Sequence, residues 1–184
     1  MIILLLMLAT ISDLSKEQVD DRLRLGALAQ ADLQVFAQLN TPKPDEPMNP
    51  RRSRFTWLKH HMFICRALER VVRGEISRLE IELPPRHSKS ELAARQLVPW
   101  FMGRNPDKSV ILVTHTDTLA REHGRDCRDY FTSMGYKLAF PHPDCQLRTD
   151  TQSADRLQLS GGGIATFTGR GGLGAGIGAD LMIF

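Results

Sequence analysis

The chain has 184 residues, 42% of them hydrophobic and 24% charged, which is enough to bury one core, too short for two full domains, and unlike a wholly disordered or membrane-embedded chain. A net charge of +3 and a sequence pI near 8.9 permit a polyanionic partner without requiring one. Cys65, Cys127 and Cys145 have no paired spacing, so buried free thiols in a reducing cytoplasm are expected, with no disulfide framework or zinc site; His123 and Cys127, four apart on a predicted helix, lack a second ligand pair.

The run Met1 to Leu8 is apolar throughout but lacks a basic flank, a small-residue cleavage signal and the length to cross a bilayer. A buried strand or a misassigned start are its two readings. Residues 13–38 carry a helical pattern that Asp13 or Ser15 can cap, expected as a surface helix. Four prolines in residues 40–54, NTPKPDEPMNPRRSR, predict a linker, dividing the chain into a helical segment 1–54 and a body 55–184. Phe55, Leu58, Met62, Cys65, Leu68 and Val72 then recur at helical spacing as one apolar stripe, ended by Gly74.

Residues 79–83, Leu-Glu-Ile-Glu-Leu, alternate as a short strand, followed by the loop 84–88 and a helical run from Lys89 to Val98 that Pro99 stops or kinks. A turn at 103–107 precedes an apolar strand at 109–113 and a helix at 117–131. Residues 156–159 and 164–168 are short strand candidates, 169–178 is rich in glycine, and the last four residues form an apolar run suited to a buried strand. Alternation of strand and helix predicts an α/β fold with a mostly parallel sheet and flanking helices.

The loop after residue 83 carries the chemistry. Phosphate-binding loops aim successive backbone N–H groups at phosphate oxygens from a helix N-terminus, add a lysine as a compact cation and a hydroxyl for Mg²⁺. Lys89 and Ser90 suit the last two roles. Against the pattern G-x-x-x-x-G-K-[ST], Leu83 and Ser88 stand where glycines belong, and Ser88 must then crowd the turn or adopt a positive φ. The alternative is a basic turn that merely opens a surface helix.

The stretch LPPRHSKSELAARQLVPWFMGRNPDKSVILVT resembles the N-terminal ATPase region of tailed-phage terminase large subunits, whose loop is typically of the type P-P-R-H-G-K-S. The upstream ICRALERVVRG and downstream GGLGAGIGADLMIF are similar to flanking segments of that family, so the resemblance spans residues 55–184. It implies a P-loop NTPase-like fold in which Pro85, Arg86, His87, Ser88, Lys89 and Ser90 bind ATP, and Ser90 also holds Mg²⁺. Lys89 would reach the β- and γ-phosphates and Arg86 would stabilise the transferring phosphoryl group, the two catalytic roles. His87 would shape the loop, and the helix bearing His60 and His61 would lie near the adenine. Implied partners are double-stranded DNA, a portal protein, a small terminase subunit and further copies of the chain, in the cytoplasm of a bacterial host with no membrane.

In that family an acidic pair follows the apolar strand that Leu181 to Phe184 resembles; the chain ends there, and Asp180 lies at the strand's other end, about 10 Å or more away. The expectation is therefore a sheet incomplete at its C-terminal side that binds ATP better than it hydrolyses it. Glu80 and Glu82 fit poorly in a strand buried on both faces. Other functional readings are a different P-loop DNA motor such as a helicase, or no enzyme at all: a non-catalytic prophage remnant, or an interaction module that recruits a small terminase subunit or the portal.

Overall fold

The computed structural model describes residues 16–45, 52–172 and 178–184. The apolar run 1–8, the capping candidates Asp13 and Ser15, and parts of the proline-rich and glycine-rich stretches lie outside them. Helices α1 (Lys16–Ala31) and α2 (Leu33–Asn40) stand where one helix is expected, because the Asp32 carboxylate accepts the N–H of Val35 and caps a new start. The expected surface position is corrected for α2: Leu33, Phe36 and Ala37 are fully buried, with Phe36 against the rings of Tyr136 and Phe140 at 6.3 and 5.8 Å. Its apolar residues wrap too much of a short helix for one face to stay in water. After α2 the proline-rich stretch folds back, Lys43 N–H donating to Arg52 and Arg54 N–H to Thr41. The helices before it and the body after it share one core.

Helix α3 (Lys59–Val72) ends at Gly74, whose φ of 76° suits a residue without a β-carbon. Its buried face is rotated from the expected stripe. His61, Ile64, Cys65 and Leu68 point inward, while Leu58 and Met62 are exposed. A six-residue π-helical segment, Glu91–Gln96, runs into α4 (Leu97–Arg104), so the helix continues through Pro99; the wider winding just upstream is a local accommodation to a residue without an N–H. Trp100 locks α4 to α1, its indole N–H donating to Ala29 O at 2.8 Å.

The sheet contains β1 (Val110–Thr114), β2 (Leu147–Ser153), β3 (Arg156–Leu159), β4 (Ile164–Gly169) and β5 (Leu181–Ile183), in the order β2-β3-β4-β1-β5. It is mixed rather than mostly parallel. Strand β1 runs parallel to β4 and β5, but β2, β3 and β4 form an antiparallel meander. The connections decide this: only Ala154 and Asp155 join β2 to β3, and residues 160–163 join β3 to β4, whereas a parallel crossover takes a dozen or more residues. Helices α5 (Asp117–Thr132) and α6 (Met134–Ala139) lie between β1 and β2 in the chain, and α5 packs on β4. Gly124 makes that packing possible, since a β-carbon there would stand 1.8 Å from Ala154 O.

The strand expected at residues 79–83 is corrected as well. The segment joins no ladder among the described residues: Ile81 and Leu83 pack on the core while Glu80 and Glu82 face solvent. One-sided burial satisfies the alternation without a hydrogen-bonded neighbour, and it removes the difficulty of two glutamates in a doubly buried strand. Between this segment and β5 lies a cavity of about 1140 Å³, into which Lys89 and Ser90 also project. Among the described residues strand β5 is bordered by β1 on one side alone, with Met182 45% and Phe184 84% exposed.

Candidate functional site: the loop at residues 84–90

Helical structure begins at Lys89, directly after the loop. Arg86 has φ 67° and Ser88 has φ 59°, and these are the only non-glycine residues with positive φ among those described. A left-handed conformation costs an L-residue about 1–2 kcal/mol. The two flank a single histidine, and alternation of right- and left-handed residues is the kind of backbone that can turn successive N–H groups to one side. Among the described residues no backbone carbonyl accepts from the N–H groups of Ser88, Lys89 or Ser90, while Leu92 N–H bonds to Ser88 O and starts the helix. Three successive backbone donors at the start of the helix are therefore uncommitted to backbone carbonyls.

The side chains divide the labour. Nδ1 of His87 lies 3.2 Å from Pro84 O and 2.9 Å from Pro85 O, so it carries the proton, donates to the loop's own carbonyls and braces the turn. Arg86 and Lys89 are exposed and enter no salt bridge among the described residues, and a pairing of Arg86 with Glu82 does not form. Their charges face solvent. The Ser90 hydroxyl is exposed and makes no hydrogen bond among the described residues, so it can offer one oxygen to a cation whose remaining ligands are phosphates and water, as Mg²⁺ prefers. Among the described residues no group of three His, Cys, Asp or Glu side chains is placed to hold a metal by itself.

Beside the loop stands an aromatic cluster that the sequence pattern only partly indicates. The His60 ring is 5.5 Å from His87 and 4.0 Å from His61, which in turn lies 4.9 Å from Phe55 and 5.8 Å from Trp57. His61 is buried and neutral: its Nδ1 accepts the Leu58 N–H at 3.1 Å, and burial, followed by the neighbouring His60 and His87, lowers its pKa. Nε1 of Trp57 and Nε2 of His60 are shielded from solvent without a hydrogen-bond partner among the described residues. Asp180 is engaged elsewhere, its carboxylate accepting the Ser109 N–H at 2.9 Å at the start of β5.

The three cysteines are buried free thiols. Burial pushes Cys65 up to about 12 and Cys127 well above its ordinary value, so both stay protonated as core filler. Among the described residues no helix is long and apolar enough to cross a membrane. No family model, no curated protein and no solved structure matches the chain.

Proposed function

We propose that residues 84–90 bind the phosphates of ATP and that the chain is an ATP-binding motor module of the kind found in tailed-phage terminase large subunits, with a P-loop NTPase-like fold. The observation that carries this is the pair of left-handed non-glycine residues, Arg86 and Ser88, set immediately before a helix that opens with Lys89 and Ser90. Backbone strain of this kind persists where the surroundings over-determine it, and it concentrates at ligand clamps. A merely basic turn needs no positive φ at a non-glycine residue.

In this reading the N–H groups of His87 to Ser90 hold phosphate oxygens, and Lys89 adds the compact cation. Arg86, with its permanently charged planar fork, faces the terminal phosphate. Ser90 supplies an oxygen to Mg²⁺, which when bound neutralises phosphate charge. The shielded Nε2 of His60, whose ring lies 5.5 Å from His87, suits the polar edge of a base, because a buried donor or acceptor gains most from a partner. Duplex DNA, a portal protein, a small terminase subunit and further copies of the chain are the partners this reading implies, in a bacterial cytoplasm.

The test is a titration of the folded chain with a fluorescent ATP analogue in the presence of Mg²⁺, repeated with Lys89→Ala. Saturable binding that falls at least about tenfold in the variant supports the assignment. Equal affinities would remove it.

A further inference from the structure

The residue that follows Ser90 is an acid, and the structure gives it an unusual set of restraints. Glu91 sits in the first turn of the loop's helix, where a free carboxylate is drawn toward the exposed N–H groups and the positive end of the helix. Any such approach would place a negative charge where phosphate must bind. Instead Glu91 is held back. Its Oε1 accepts from the Tyr130 hydroxyl at 2.5 Å and from Gln96 Nε2 at 3.0 Å, while Arg95 Nη1 lies 3.5 Å from Oε2. Arg95 is anchored in turn, with Nε 2.8 Å from Asp126 and donating to His123 Nδ1 at 3.2 Å. Tyr130, Asp126 and His123 all belong to α5, so a different helix fixes the acid next to the loop.

We propose that Tyr130 is a positioning residue that keeps the Glu91 carboxylate away from the phosphate loop and so preserves its affinity for polyphosphate. The inference rests on the phosphate-binding reading of residues 84–90 and adds a device within the same site. Tyr130 suits the task because burial, and then the carboxylate it touches, raise its pKa, so the phenol keeps its proton and donates. A phenol reaching across from α5 also adds no charge of its own. Gln96 supports the arrangement from the same turn, and its amide is tied onward to Asn40 of α2 at 3.4 Å.

Binding of inorganic tripolyphosphate and of MgATP is measured for the wild-type chain, Lys89→Ala, Tyr130→Phe, Glu91→Gln and the double variant Tyr130→Phe/Glu91→Gln, each checked for a native circular dichroism spectrum. Tyr130→Phe should weaken both ligands about tenfold, because it frees a carboxylate beside the anion site. The double variant should return to wild-type affinity, and Glu91→Gln alone should bind at least as tightly as wild type. A hydrogen bond that only braced the fold would leave the double variant no better than Tyr130→Phe, and that result overturns the proposal. Unchanged affinity in Tyr130→Phe also overturns it, while loss of binding in Lys89→Ala leaves the phosphate loop standing. Binding that ignores Lys89, or no binding by the wild type, removes the phosphate loop and this device together. If Tyr130→Phe fails to fold, Glu91→Gln decides: weaker binding than wild type would show that the acid is not being restrained from the site.

Discussion

Replacing Ser88 by glycine tests the strained loop without touching any charge. At φ 59° the serine β-carbon pays the left-handed penalty, about 1–2 kcal/mol, which glycine does not. Glycine also loosens the unfolded chain, which costs about 0.4–1 kcal/mol in the opposite direction. The difference leaves Ser88→Gly more stable by about 0.5–1 kcal/mol, or a rise of roughly 1–4 °C in Tm for a domain of this size. Ser88→Ala is the control, since it removes the hydroxyl but keeps the β-carbon in the same conformation. Differential scanning calorimetry on both variants should rank Ser88→Gly above wild type and Ser88→Ala at or below it. The same ranking should hold for affinity to MgATP, because the relaxed turn presents its N–H groups without distortion. If Ser88→Gly melts at or below Ser88→Ala, the left-handed geometry of the loop is wrong.

Two predictions concern the rest of the fold. Gly124→Ala gains up to ~1 kcal/mol of helix propensity, but its β-carbon would meet a backbone oxygen 1.8 Å away and overpacking costs about 1–3 kcal/mol, so urea denaturation should show net destabilisation; a stabilised variant would mean that α5 does not approach the β2–β3 turn so closely. Acid should weaken the fold before its carboxylates titrate. Burial lowers the pKa of both His61 and His123 from 6.5, with Arg95 lowering His123 further, so the unfolded chain binds protons first as pH falls. Their contribution is present above pH 6.5 and is lost as pH falls through the lowered folded values, so the urea midpoint should drop between about pH 7.5 and 5.5, and substituting both histidines by glutamine should flatten that drop.

The helices from Lys59 and from Asp117, the strands at 110–114, 156–159 and 164–169, and the loop with its lysine at a helix start were all legible, because each rests on local periodicity or on turn and capping chemistry within a few residues. The positive φ of Ser88 is one of the two outcomes, a crowded turn or a left-handed residue, that the loop pattern left open, and the folded chain takes the second. Strand β2 was not legible, since Leu147 to Ser153 is mostly polar and becomes a strand by pairing with β3. The same cause hid the opposite error at residues 79–83: alternation specifies which side faces the core, but a ladder needs a neighbour, and no local pattern supplies one. The outward turn of Met62 and the burial of His61 and His123 were likewise set by which surfaces met. The restraint on Glu91 belongs entirely to this second kind. Arg95 is readable as its helical neighbour, but Tyr130 lies 39 residues away, and only the packing of α5 against the loop's helix brings its hydroxyl to the carboxylate. What the sequence by itself determined is the local chemistry of the loop; what the tertiary structure decided is which distant groups hold that chemistry in place, because contacts between elements depend on the whole core rather than on any window of the chain.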